Sequence, residues 1–271
     1  MLRPIRIDQP DDPRIEAYVN IRERDLVGRG GRFIAEGETV LAVLLRQRLH
    51  AVESLFILDT RLPLLADLPA ALPADVPVYT ASRAVMDAVA GFPIHRGVLA
   101  LGRRGEPEDA GAFLAGLPPR ALVVGLVGLA NHDNVGGIFR NAAAFGADAV
   151  LLDDTSCDPL YRKAIRVSVG GALTVPFFRA ASAHGLMDML DSAGFSVLAL
   201  SPRGTETLSQ LTPPPRAALL LGTEGPGLPY DVLARCRTVS IPMHGRFDSL
   251  NVATTSGIAM HHLVSRQAVS R

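Results

Sequence analysis

Apolar positions in the second half of the chain fall into two repeating patterns. Residues 121–129 and 217–221 are continuous apolar runs, the pattern of strands buried on both faces. Shorter strand-like runs lie at 149–152, 196–200 and 238–241. Between and after them, residues 135–145, 161–168, 182–193 and 252–264 carry apolar residues at helical spacing. This βα alternation predicts an α/β fold with a mainly parallel sheet and helices on both faces. The first hundred residues are patterned more tightly. Residues 13–23, 39–48 and 82–89 read as helices, and 32–36, 54–58, 76–79 and 98–101 as strands, predicting a smaller α/β sandwich. The charged run Arg103-Arg104-Gly105-Glu106-Pro107-Glu108-Asp109 separates the two patterns and reads as linker. The expected domains are therefore 1–104 and 119–271, joined by a linker over 105–118.

In parallel sheets, ligands bind at the carboxyl ends of strands, where loops enter helices. Three loops occupy such positions. The first, Asn131-His132-Asp133-Asn134-Val135-Gly136-Gly137-Ile138-Phe139-Arg140-Asn141, follows the run at 121–129. Asn134 is placed to cap a helix. Two adjacent glycines, costly in a helix by roughly 1 kcal/mol each, imply close approach of another element or a ligand. Arg140, about one and a half turns in on this reading, would reach forward over a helix start that attracts anions. The second loop, Gly222-Thr223-Glu224-Gly225-Pro226-Gly227-Leu228-Pro229, has glycines spaced unlike the dinucleotide fingerprint, and no Gly-Lys-Ser/Thr of a phosphate loop follows. The third, Ile241-Pro242-Met243-His244-Gly245-Arg246-Phe247-Asp248-Ser249-Leu250-Asn251, mixes apolar residues with Ser249 and Asn251, either able to cap the final helix. An adenine ring fits against Ile241, Met243 and Leu250. Ser249 stands in no G-x-S-x-G elbow, which argues against a hydrolase.

Composition adjusts this picture modestly. With 271 residues, 48% of them hydrophobic, the chain can bury two cores. No apolar run approaches the roughly 20 residues of a bilayer crossing, and the first eight residues lack a signal-peptide stretch. The two cysteines, Cys157 and Cys236, have no metal-like spacing, so a reducing cytoplasm is expected. His132, His244, His261 and His262 form no His-x-x-x-His pair, and no metal is expected. Acidic and basic residues balance at 27 each, which by bulk charge argues against a nucleic-acid partner. Yet Lys163 is the only lysine, and arginine suits bidentate phosphate contacts. Arg22, Arg24, Arg29 and Arg32 around a Gly-rich loop, and Arg162, Lys163 and Arg166, are candidate RNA contacts; a solvated charged face is the alternative.

Taken together, the three loops resemble the motifs of the SpoU/TrmH family of RNA ribose 2′-O-methyltransferases, within the SPOUT superfamily. Asn134, Gly136 and Arg140 match the first motif. Gly222, Glu224, Gly225 and Gly227 match the second, and Ile241-Pro242-Met243 with Ser249-Leu250-Asn251-Val252 the third. One position departs: Asn141 stands where the family usually has Thr or Ser. Phe33-Ile34-Ala35-Glu36-Gly37 and His95-Arg96-Gly97-Val98-Leu99-Ala100 look like the substrate-binding domain, L30e-like, often fused to this family. The resemblance implies a trefoil knot in the C-terminal sheet and a homodimer whose sites are completed by the partner subunit. It also implies an enzyme that uses S-adenosylmethionine to methylate a ribose 2′-hydroxyl of tRNA or rRNA. The cofactor would lie against Gly222, Thr223, Gly227, Ile241, Met243, Leu250 and Ala253. Asn134, Arg140, Glu224, Ser249 and Asn251 would carry the chemistry. The family's arginine is proposed as a base; because a guanidinium stays protonated, Arg140 reads here as a clamp on phosphate and developing alkoxide charge. The competing reading is a non-catalytic RNA-binding scaffold that keeps the fold.

Overall fold

The computed structural model describes residues 3–19, 26–27, 30–47, 49–65, 72–106, 108–245 and 249–269. The chain divides into two compact units. One comprises Met1–Glu106 with Leu160–Thr174, the other Pro107–Pro159 with Val175–Arg271.

Among its described residues, the first unit holds five strands: β1 (Ile5–Arg6), β2 (Arg32–Glu36), β3 (His50–Leu58), β4 (Val78–Ala81) and β5 (Val98–Arg104). Their order is β1-β4-β3-β5-β2. β4 runs parallel to β1 and β3, whereas β5 is antiparallel to both β3 and β2. The core gathers Ile7, Ile34, Phe56, Met86 and Leu99 around Tyr18, whose phenol bonds the Ser54 hydroxyl at 2.8 Å and accepts from the Leu101 amide. The helix expected over 13–23 is a 3-10 turn, Pro13–Tyr18, opened by Asp12 and closed at an extended Val19. The helix Arg162–Val167 belongs to this unit, although its sequence neighbours belong to the other. Arg162 donates to the buried carboxylate of Glu36 at 2.6 Å and stands over the Phe92 ring.

Among its described residues, the second unit holds seven strands: β6 (Ala121–Leu126), β7 (Ala149–Leu152), β8 (Phe177–Arg179), β9 (Ser196–Leu200), β10 (Glu206–Thr207), β11 (Arg216–Leu221) and β12 (Arg237–Ser240). They are ordered β10-β12-β9-β11-β6-β7-β8, and every neighbouring pair is parallel. β6 and β7 are buried along their whole length, as their apolar runs require. Within the stretch expected as linker, Ala110–Gly116 is helical because Asp109 accepts from the Ala112 amide at its start. At its end the Arg216 guanidinium donates to the carbonyls of Leu114, Leu117 and Pro118 at 2.7, 2.8 and 2.9 Å. Among the described residues, no helix is long and apolar enough to cross a membrane, and no three His, Cys, Asp or Glu residues cluster as metal ligands.

Candidate active site

Strands β12, β9, β11 and β6 are successive neighbours in one parallel sheet, so the loops leaving their carboxyl ends share one rim. At that rim lies a cavity of about 380 Å³, within the range of small-molecule sites. Its floor is apolar: Leu200, Leu221 and Val239 at the ends of β9, β11 and β12, with Ile241, Met243 and Leu250 from the loop beyond. Its polar groups are Ser201, Thr223, Glu224, Ser249, Asn251 and Thr255.

The second loop is closed on itself. The Gly227 amide donates to the Thr223 carbonyl at 3.2 Å, and the Thr223 hydroxyl to the Gly227 carbonyl at 3.2 Å. Such a tight return needs left-handed backbone, supplied by Gly225 (φ 91°) and Gly227 (φ 74°). Gly222 is demanded by space: a Cβ there would stand 2.6 Å from the Leu228 amide nitrogen.

Asn251 ties the three loops together. Its Oδ1 caps the terminal helix, Val252–Val269, accepting from the amides of Ala253 and Thr254 at 3.0 and 3.2 Å. Its Nδ2 donates to Asn134 Oδ1 at 2.8 Å and to Glu224 Oε1 at 3.1 Å. Asn134 Nδ2 donates to the same Glu224 oxygen at 3.0 Å. One side chain from each loop thus enters a single closed network. The buried amide of Asn134 is satisfied and the carboxylate is fixed at the cavity wall.

The sequence profile of the SpoU rRNA methylase family matches residues 121–261, just over half the chain. The chain belongs to the SpoU rRNA methylase family. An uncharacterized tRNA/rRNA methyltransferase of Mycobacterium tuberculosis is 40% identical over 262 residues, covering 93% of this chain and 88% of that protein. The 23S rRNA (guanosine-2′-O-)-methyltransferase RlmB of Escherichia coli is 28% identical, covering 86% of this chain and 98% of that one. A solved RNA 2′-O ribose methyltransferase superposes with a TM-score of 0.81 at 26% identity, covering 97% of this chain and all of that one. The SpoU methyltransferase AviRb of Streptomyces viridochromogenes, solved with the cofactor AdoMet, shares the fold at TM-score 0.79 and 22% identity, covering 96% of this chain and 99% of that one.

Most residues of the SpoU motifs converge on this rim, but not all as expected. Gly222, Thr223, Gly227, Ile241, Met243 and Leu250 line the cavity, together with Glu224, Ser249 and Asn251. Ala253 lies beyond the lining and faces Gly137. Gly137 is small because a Cβ there would stand 2.7 Å from the Ala253 Cβ, so this glycine of the first loop, next to the motif's Gly136, makes room for a helix, not a ligand. Asn134 is not a cap. The helix His132–Phe145 begins three residues earlier than expected, under Asn131, which accepts from the Asp133 amide at 2.8 Å. Arg140 is consequently about 2.2 turns along, too far to reach back over the helix start. It is exposed and outside the cavity lining. Of the basic candidates, Arg22, Arg24 and Arg29 lie outside the described residues. Arg32 is paired with Glu53 at 2.8 Å, and Arg162 is committed to Glu36, while Lys163 is exposed and Arg166 half-buried. Sequence reading missed Leu200, Ser201, Pro202 and Thr255 in the lining. The carboxyl end of the strand at 196–200 was the signal for the first three.

Proposed function

We propose that this chain is an S-adenosylmethionine-dependent methyltransferase acting on a ribose 2′-hydroxyl of tRNA or rRNA. The single observation that carries the reading is the closed network of Asn134, Glu224 and Asn251 at the wall of a partly apolar cavity on the carboxyl rim of the sheet. The cavity's chemistry fits the cofactor. Aliphatic side chains line it for an adenine ring, the tightly turned backbone of residues 222–227 offers polar groups, and Glu224 is, among the described residues, the one carboxylate in the lining, suited to a cationic ligand. When bound, S-adenosylmethionine supplies an electrophilic methyl group on a sulfonium.

The chain's own residues then have to hold the acceptor hydroxyl in line and handle its charge. Glu224, held by two amides, is a fixed anion whose orientation does not depend on ligand. Ser249 and Asn251 present polar groups beside it. Arg140 is the clamp for RNA phosphate and developing alkoxide charge. Its place outside the cavity lining supports a homodimer in which each site is completed by the partner subunit. The reading further assigns a trefoil knot to the sheet of the second unit. It gives RNA binding to an L30e-like N-terminal domain, residues 1–104, linked through 105–118 to a methyltransferase domain, and places the protein in the cytoplasm. A non-catalytic scaffold has no comparable support, since every polar partner in the network is in place.

Calorimetry with S-adenosylmethionine, followed by transfer of labelled methyl to total RNA and mapping of 2′-O-methyl sites with and without the gene, tests the reading. Micromolar binding and a site lost with the gene are expected. No cofactor binding by the folded protein overturns it.

A further inference from the structure

The helix His132–Phe145 and the terminal helix cross where side chains are smallest. A Cβ at Gly137 would lie 2.7 Å from the Ala253 Cβ, and one at Gly257 would lie 3.1 Å from Asn141 Nδ2. Two helices this close have no room to slide, but steric contact alone does not choose which turn of one sits against which turn of the other. A polar group does. Asn141 Nδ2 donates to the Ala253 carbonyl at 2.7 Å and to the Ser256 hydroxyl at 3.0 Å, and that hydroxyl donates to the same carbonyl at 2.7 Å. Ser256 is fully buried. The Ala253 carbonyl is therefore gripped from both sides at the first turn of the terminal helix. The Ala253 amide, one peptide earlier, donates to Asn251 Oδ1, and Asn251 and Leu250 line the cavity. Through the backbone of Ala253, hydrogen bonds thus connect Asn141, which is not part of the cavity lining, to Asn251, which is.

We propose that Asn141 is a positioning residue for the cofactor site: by holding the Ala253 peptide it sets the start of the terminal helix, and with it the placement of Leu250 and Asn251 over the cavity. The inference rests on the cavity being the S-adenosylmethionine site. Neither Thr nor Ser at 141 would span the same distance, because the amide nitrogen lies one bond further from the backbone than a hydroxyl.

Asn141→Asp tests this, since it keeps the shape while removing the donor and turning an oxygen toward the Ala253 carbonyl. Phe145→Ala is the control. It cuts the Phe145–His261 ring contact between the same two helices (centroids 5.9 Å apart) at the end away from the cavity. Cofactor dissociation constants by calorimetry, kcat at saturating cofactor, and Tm are measured for each. In N141D the dissociation constant and cofactor KM rise at least ten-fold, by a larger factor than kcat falls. In F145A the Tm falls and cofactor affinity does not move. If N141D does not fold, Asn141→Ala takes its place, with a rise of at least three-fold expected. Wild-type cofactor affinity in a folded position-141 variant overturns the inference while leaving the assignment of the cavity intact. So does a loss of affinity in F145A that matches its loss of Tm. A wild-type protein that binds no S-adenosylmethionine overturns both.

Discussion

Gly222 offers the sharpest test of how the cavity is built. A Cβ at this position would stand 2.6 Å from the Leu228 nitrogen, 2.7 Å from the Gly227 carbonyl carbon and 2.8 Å from the Leu228 Cγ. Two of these neighbours are backbone, so no rotamer change relieves the contact. One side must retreat by about 0.8 Å, the difference between 2.6 Å and the 3.4 Å at which ordinary contact begins. Leu228 cannot retreat easily, because it is packed among Leu220 and Val232 in the core of the second unit. The displacement falls on the loop that carries Thr223 and Glu224 into the cavity. Overpacking of this kind costs about 1–3 kcal/mol. Only part of it is felt as unfolding; the rest appears as lost complementarity to the ligand. For Gly222→Ala we expect a folded protein with Tm lower by a few degrees, at about 2–4 °C per kcal/mol for a chain this size. Cofactor affinity should be at least ten-fold weaker, equivalent to about 1.4 kcal/mol. Calorimetry against S-adenosylmethionine and a thermal scan read the two effects separately. Wild-type affinity in a G222A protein would refute the argument that close approach of residues 222 and 227–228 shapes the binding cavity.

Other perturbations separate the groups at the rim. Glu224→Ala strips the buried Asn134 amide of its acceptor and is expected to cost about 1–3 kcal/mol in denaturant unfolding; Glu224→Gln, which keeps an oxygen there, should cost clearly less, and equal losses would argue against the network. Arg140→Ala should leave stability within about 0.5 kcal/mol and cofactor affinity unchanged, yet lower methyl transfer at least about 100-fold; near-normal transfer would remove Arg140 from the mechanism. Arg216→Met abolishes three bonds to the end of the helix Ala110–Gly116 and should lower unfolding free energy by about 1–3 kcal/mol; an unchanged midpoint contradicts that role. Burial pushes the thiols of Cys157 and Cys236 up to about 11, so their thiolate form is scarce below that pH. At pH 8 roughly 0.1% is thiolate against about a quarter for a free cysteine, so alkylation of the folded protein should be at least about 100-fold slower than that of a model thiol. Rapid labelling at pH 8 would show the burial to be wrong.

What could be read from the sequence followed from how local its cause is. Strands β6 and β11 announced themselves, because a strand covered on both faces has no polar position to interrupt it. The second and third motifs announced the cavity, because their glycines and caps act within a few residues of themselves. Strand β1 is only two residues long and exists through its pairing with β4, more than seventy positions away; no local pattern encodes that. The start of the helix His132–Phe145 was misplaced because Asn131 and Asn134 both have capping chemistry, and the choice between them depends on Glu224 and Asn251 drawing Asn134 into another network. Arg162 looked like a surface cation. Its partner Glu36 is 126 positions earlier, and a buried pair at that separation leaves no trace in charge patterning.

That pairing bears on how the chain reaches its native state during synthesis. The first unit is incomplete until Leu160–Thr174 has emerged from the ribosome, since this late segment packs on β2 and supplies the counter-charge for Glu36. An N-terminal fragment ending near residue 118 would lack both the segment that packs on β2 and the counter-charge of that carboxylate. The usual order, in which an N-terminal domain is finished before the next is made, therefore leaves this unit without one of its segments. Early strands must wait, partly assembled, for a helix translated after the first two strands of the neighbouring sheet. A nascent-chain series should show protease resistance of the first unit appearing only when the length passes residue 174 by the span of the exit tunnel.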